Sequence, residues 1–187
     1  MNSDPNRILW TRVDVSGHDA CRIRQTDGGW NLTGSAVASE AGSVITALSY
    51  QIDHDAGWVT RSAQVSGFAG SQDIDLTILR SGDGNWTVNG APVQSVQGCV
   101  DIDLGFTPAT NTTAIRRAKL DVGGRASGIA AWLDDADWTL KPLEQSYLRR
   151  SGETYTYASP GHDFTTDLSV NESGLVTEYP GFWVHLV

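Results

Sequence analysis

The chain has 187 residues, with 13 basic and 22 acidic side chains and a net charge of −9. That length suits one domain, 1–187, large enough to bury a core without disulfide or metal support. With 40% hydrophobic and 19% charged residues the composition is globular rather than disordered. The acidity argues against a nucleic-acid backbone as main partner, because that needs a basic footprint.

The N-terminus, MNSDPNRILW, has neither an apolar run of signal-peptide length nor a small-residue cleavage site. No apolar stretch is long enough to span a membrane. The expectation is a cytoplasmic, soluble protein. Cys21 and Cys99 are 78 positions apart and in no zinc-type or C-x-x-C spacing, so both are expected to be free and buried. The sequons at Asn31, Asn85, Asn111 and Asn171 read as by-products of a Ser/Thr-rich chain.

Along the chain the dominant period is two. Strands are predicted at 7–15, 30–38, 44–52, 58–65 and 73–79, then at 128–135, 138–150, 153–159, 163–170 and 175–180. Asp-Gly, Asn-Gly, Ser-Gly and Gly-Gly pairs between them suit tight turns. The one helix candidate is short and falls within 108–118. Asp27, Asp55 and Asp83 each precede a tryptophan by three positions, at Trp30, Trp58 and Trp86, which are 28 residues apart both times. That spacing fits a repeating strand pair or, the favoured reading, a long meander with similar hairpin lengths. The fold class is therefore mainly β: a single-domain curled antiparallel sheet with at most short helices.

Residues 97–117, QGCVDIDLGFTPATNTTAIRR, break the pattern by being polar in mid-chain. Asp101 and Asp103 are two apart on a predicted strand and share a face. Such a pair suits acid–base chemistry on a glycoside, a hard cation, or the orientation of Arg116 or Arg117 toward an anionic head group. It equally suits an Asp–Arg network tying an irregular connection to the sheet, which is the favoured reading. A second cluster is Glu144, Gln145, Tyr147, Arg149 and Arg150, with Gln145, Tyr147 and Arg149 on one strand face. It suits sugar or ester recognition or, as favoured, a solvated sheet edge. The four histidines are scattered and read as surface or satisfied residues, so no metal site is expected. No hydrolase elbow, phosphate loop or dinucleotide fingerprint is present, and no cofactor is implied. Trp30, Trp58 and Trp86 are core or rim residues by default, and their flat faces also suit an acyl chain or a sugar ring.

Three runs in the central segment carry a family resemblance: Gly98-Cys99-Val100-Asp101-Ile102-Asp103-Leu104, then Thr107-Pro108 with Thr110-Asn111-Thr112, then Ile115-Arg116-Arg117. Flanking runs agree: Gly57-Trp58-Val59-Thr60-Arg61, Gln145-Ser146-Tyr147, and the closing stretch from Gly174-Leu175-Val176 to Tyr179-Pro180-Gly181-Phe182. Together the chain resembles the bacterial Putative glycolipid-binding family over roughly 10–187. Ala109 and Ala114 depart from the family pattern, where an aromatic and a proline are expected, and the missing proline predicts a looser loop before Arg116.

The resemblance implies an incomplete barrel or spiral β-roll, similar in outline to the carriers of lipoproteins across the bacterial periplasm. It implies a non-catalytic binding protein for a glycolipid-like amphiphile. The expected ligand contacts are Asp101, Asp103, Asn111, Arg116, Arg117, Gln145, Tyr147 and Trp58. Two alternatives stand beside it. One is a hydrolase or lyase acting on a sugar or lipid through Asp101 or Asp103, which requires one carboxylate in a cavity with a raised pKa. The other is an interaction protein whose strand edges pair two copies into a homodimer.

Overall fold

The computed structural model describes residues 4–40 and 44–186, with the side chain of Glu40 left aside. The first three residues of the N-terminal stretch considered for an export signal lie outside the described residues. The first half of the chain is a meander of β1 (Arg7–Arg12), β2 (Ser16–Thr26), β3 (Gly29–Glu40), β4 (Val44–Asp55), β5 (Thr60–Ala69), β6 (Gln72–Arg80), β7 (Trp86–Val88) and β8 (Ala91–Pro92). The central segment holds β9 (Ile102–Leu104), a 3-10 turn at Pro108–Thr110 and one helix, α1 (Asn111–Ala118). The second half supplies β10 (Arg125–Asp134), β11 (Thr139–Arg149), β12 (Thr154–Ser159), β13 (Phe164–Val170), β14 (Val176–Tyr179) and β15 (Trp183–His185).

All fifteen strands form one sheet in the order β8-β7-β6-β5-β4-β3-β2-β1-β15-β14-β13-β12-β11-β10-β9. Every pairing is antiparallel except β9 with β10, which is parallel. The sheet curls without closing, and β8 and β9 are its two ends. The D-x-x-W spacing thus belongs to successive hairpins of the meander. Among the described residues no helix is long and apolar enough to cross a membrane. Cys21 and Cys99 are both free and buried.

Alternation sets the concave face. In β4, Leu48, Tyr50, Ile52 and His54 point inward, while Ser49 and Gln51 between them point outward. Trp10, Trp86, Leu32, Ile52, Ile78 and Leu104 are fully buried in the larger of two clusters. The smaller one gathers Ala114 and Ile115 of α1 against Tyr147, Tyr155, Tyr157 and Leu168. Residues 99–118 run between the two limbs of the curl and cover the concave face. Val100 O accepts from Thr60 N (3.1 Å), while Thr60 Oγ1 accepts from Ile102 N (3.1 Å). Cys99 O accepts from Trp86 Nε1 (3.0 Å) and Arg80 Nε (2.7 Å). On the other limb Ala131 N donates to Asp101 O (2.9 Å) and Gly105 N to Leu133 O (3.0 Å).

β2 escapes the sequence reading because its inward face mixes a carboxylate with apolar residues: Asp19, Cys21 and Ile23 are buried in register. Asp19 is fully buried, and its carboxylate accepts from Tyr50 Oη (3.1 and 3.0 Å) and from Thr107 Oγ1. These bonds pin the loop after β9 to the opposite limb. Gly34 makes room for the contact, since a Cβ there would lie 2.2 Å from Tyr50 Oη and 2.6 Å from Ala20 O. Burial pushes the Asp19 carboxyl up to about 7, against the lowering effect of the Thr107 and Tyr50 bonds.

A raised folded-state value means that the folded protein holds this proton more tightly than the unfolded chain. Stability from Asp19 is full below the ordinary carboxyl value of 3.8 and falls as pH rises to about 7. The slope is at most about 1.4 kcal/mol per pH unit. Thermal unfolding of Asp19→Asn across this window is expected to show a shallower fall than the wild type; an identical slope refutes the assignment. Gly34→Ala is expected to cost about 1–3 kcal/mol by overpacking, read as a lower denaturant midpoint.

Candidate functional site

Beside the 3-10 turn and the start of α1, the unclosed curl leaves a cleft of about 320 Å³. Its floor is polar and comes from the central segment. Asp103 is half-buried there, accepting at Oδ1 from Thr110 Oγ1 (3.1 Å) and at Oδ2 from Gln145 Nε2. Gln145 Nε2 also donates to Tyr157 Oη (3.2 Å). Asn111, the first residue of α1, lines the same floor and donates from Nδ2 to Tyr147 Oη (2.9 Å). Burial pushes the Asp103 carboxyl up to about 6; the Thr110 and Gln145 bonds lower it, and the charges of Asp101 and Asp135 raise it.

The walls are aromatic. Trp132, Tyr157, Phe164, Tyr179, Phe182 and Trp183 line the cleft. Phe164, Tyr179 and Phe182 form a triangle of ring contacts with centroids 5.3–6.1 Å apart. His162 stands edge-on to Trp132 at 5.4 Å on the rim. Arg12, also on the rim, lies over Trp183 (5.3 Å) and bonds Asp14 through Nε (2.9 Å). A second carboxylate, Asp135, lines the cleft as well.

The expected contact residues divide into three groups. Asp103 and Asn111 face this cleft and bond Gln145 and Tyr147, which line a separate small cavity of about 30 Å³ together with Asp101 and Arg117. Gln145 and Tyr147 are buried on β11, an interior strand between β10 and β12. The solvated-edge expectation for that cluster is therefore overturned, because the second half of the sheet continues past β11. Asp101 and Arg117 form the second group, a two-pronged ion pair with Nε–Oδ1 and Nη2–Oδ2 both 2.7 Å. The ion pair joins α1 to the start of the same central segment, one contact of the kind an Asp–Arg network predicts. Arg116 and Trp58 form the third group on a separate groove that shares no lining residue with the cleft. The eight residues thus do not converge on one site.

Residues 111–118 are helical, so the loosened loop expected before Arg116 is not there; Ala114 is a buried helix residue, and Ala109, in the 3-10 turn before it, is fully buried. Sequence reasoning missed the aromatic wall as a site. Its signal was the density of rings in 155–183, most plainly Tyr179-Pro180-Gly181-Phe182-Trp183. His54 is buried, its Nε2 lies 3.0 Å from Thr113 Oγ1, and burial lowers its pKa to about 4, so it stays neutral. Among the described residues no group of three or more His, Cys, Asp or Glu is arranged to hold a metal ion.

The family model described as Putative glycolipid-binding matches residues 7–185. The chain belongs to this family. A crystal structure of a DUF1089 family protein from Pseudomonas aeruginosa is similar at a TM-score of 0.81 and 30% sequence identity, covering 94% of this chain and 95% of that one. Curated proteins yield no match. The residues that carried the resemblance are, in this member of the family, those that bridge the curl: Cys99, Asp101 and Asp103 in succession, then Thr107, Thr110 and Asn111.

Asp101 is buried beside a half-exposed Arg117, so the pair lies between the roughly 1 kcal/mol of an exposed ion pair and the 3–5 kcal/mol of breaking a buried one. Arg117→Ala is expected to cost about 2 kcal/mol in chemical denaturation, and adding Asp101→Asn is expected to recover part of it. Additive losses in the double variant contradict the pairing.

Proposed function

We propose that this protein binds an amphiphilic small molecule, glycolipid-like in chemistry, in the aromatic-walled cleft. The observation that carries the reading is the pairing of that wall with a floor of fixed polar groups. Phe164, Tyr179, Phe182 and Trp132 offer flat faces to sugar C–H groups or an acyl segment. Asp103 and Asn111 offer acceptors and donors already held by Thr110, Gln145 and Tyr147, so little side-chain ordering is needed on binding. A volume of about 320 Å³ lies at the low end of ligand cavities, which run roughly 300–1,000 Å³. It suits one ring or head group rather than a whole lipid, with the remainder of an amphiphile lying across the exposed Phe182. Membership of the Putative glycolipid-binding family supports the same reading.

One observation favours a second reading. Asp103 sits in a cleft with its carboxyl raised to about 6, and Asp135 lines the same cleft. A carboxyl poised near neutrality beside a second carboxylate is the minimum equipment for general acid–base attack on a glycoside or ester.

Native mass spectrometry of the protein from its own host, followed by organic extraction, tests the first reading. A bound amphiphile of defined mass is expected, with occupancy reduced roughly tenfold in Phe182→Ala and in Asp103→Asn. An empty protein that also takes up nothing from a host lipid extract refutes it. The second reading expects turnover of an aryl glycoside or ester with a pH–rate limb near 6, abolished in Asp103→Asn; no turnover across a panel of such substrates removes it.

A further inference from the structure

A second concavity, about 690 Å³, opens at the C-terminal end of α1 and is lined by Trp30, Trp58, Ile115, Arg116, Lys119, Arg149 and Tyr155, among others. The local chain explains its aromatic floor. Asp55 Oδ1 accepts from Gly57 N (2.8 Å) and Val59 N (2.9 Å), holding a turn that places Trp58 at a φ of 68°. That left-handed backbone is costly for a tryptophan, and burial of the indole with stacking on Trp30 (centroids 4.9 Å, planes 21° apart) offsets it.

Arg116 lies over both indoles, its guanidinium carbon 5.4 Å from Trp30 and 5.3 Å from Trp58. The side chain passes across Gly174, where a Cβ would stand 3.3 Å from Arg116 Cδ at a φ of 79°. The guanidinium is thus held in place by rings and by a glycine gap, yet among the described residues it makes no hydrogen bond or ion pair. Arg149, on the same groove, is fixed by three backbone carbonyls, of Leu120 (2.7 Å), Ser151 (3.0 Å) and Gly152 (3.3 Å), and lies over Tyr155 at 5.7 Å. Among the described residues no carboxylate forms an ion pair with it. Lys119 adds a third cation at the exposed rim. Glu153 and Glu172 also stand exposed on the rim; among the described residues they form no ion pair, and the lining cations exceed the lining carboxylates by one.

Among the described residues Arg117, Arg12 and Arg7 are held by carboxylates, whereas Arg116 and Arg149 are held by rings, a glycine gap and backbone carbonyls instead of by a carboxylate. Two guanidiniums pre-positioned without one, in a concave groove with an apolar floor, form a receptor for an oxyanion. We propose that this groove is an anion site that takes a phosphate-type group, with Arg116 as the principal ligand and Arg149 and Lys119 as supporting charges. The site is independent of the cleft. Its oxyanion is a free phosphate, a phosphate monoester or the phosphate of an acidic lipid head group.

The indoles beneath Arg116 supply the readout. The experiment is titration of intrinsic tryptophan emission with inorganic phosphate, glycerol 3-phosphate, and phosphatidylcholine vesicles with and without phosphatidylglycerol. A saturable change with at least one probe is expected, weakened roughly tenfold or more in Arg116→Gln and less in Arg116→Lys, which keeps the charge but loses the planar fork. Lys119→Gln is expected to weaken it a few-fold, and Glu172→Gln to strengthen it. Response to the soluble probes assigns a free phosphate or monoester; response only to phosphatidylglycerol vesicles assigns a head group. Silence with all probes overturns the proposal, as does an unchanged affinity in Arg116→Gln. Should Arg116→Gln fail to fold, an unchanged affinity in Lys119→Gln together with Glu172→Gln overturns it instead.

Discussion

A sheet that curls without closing leaves a concave apolar face and two free ends, and something must cover that face. Here the cover is the chain's own segment 99–118, laid between the limbs of the curl. An irregular segment carries backbone and side-chain polar groups into the interior, where each must find a partner. Thr60, Trp86, Arg80, Asp19 and Gln145 are the partners found. The three carboxylates involved meet different environments. Asp101 faces a guanidinium, whereas Asp19 and Asp103 face only hydroxyls and an amide. Neutral donors do not offset the loss of hydration, so both of these carboxyls take up protons more readily than in water.

The same cover makes the concavities. α1 stands between them, with Asn111 at its first turn on the cleft and Arg116 at its last turn on the groove. The two ends differ in chemistry. The cleft has amide, carboxylate and hydroxyl groups under an aromatic wall, which suits a neutral polyol or ester. The groove has guanidiniums over indoles, which suits an oxyanion. A helix of eight residues thereby separates two concavities of different chemistry.

Much of the fold was legible along the chain. Period-two alternation gives the strands flanking the central segment, because one face of each is buried and the other wet. The short helix also lies within the stretch expected. β2 was not legible, since Asp19 occupies a core position in its alternation and erases the apolar stripe. β15 is three residues long, too short for a period to show, and β9, equally short, was expected only as the strand carrying Asp103. Gln145, Tyr147 and Arg149 were correctly placed on one strand face, but whether that strand was an edge depended on strand order.

The candidate site was legible in residues and not in grouping. Asp103 and Asn111 were singled out by polarity in mid-chain, yet their aromatic companions come from β10, β12, β13, β14, β15 and the turn before β15, as many as 80 positions away from Asp103 at Trp183. The amino-acid order by itself determined the strand pattern, the turn chemistry, the charge and the unusual polarity of 97–117, since all of these are local. Only the tertiary structure decided that Asp101 meets Arg117, that Arg116 lies over Trp30 and Trp58, and that two carboxyls are pushed toward neutrality. Those outcomes depend on desolvation and on contacts across the curl, and neither exists until distant strands pair.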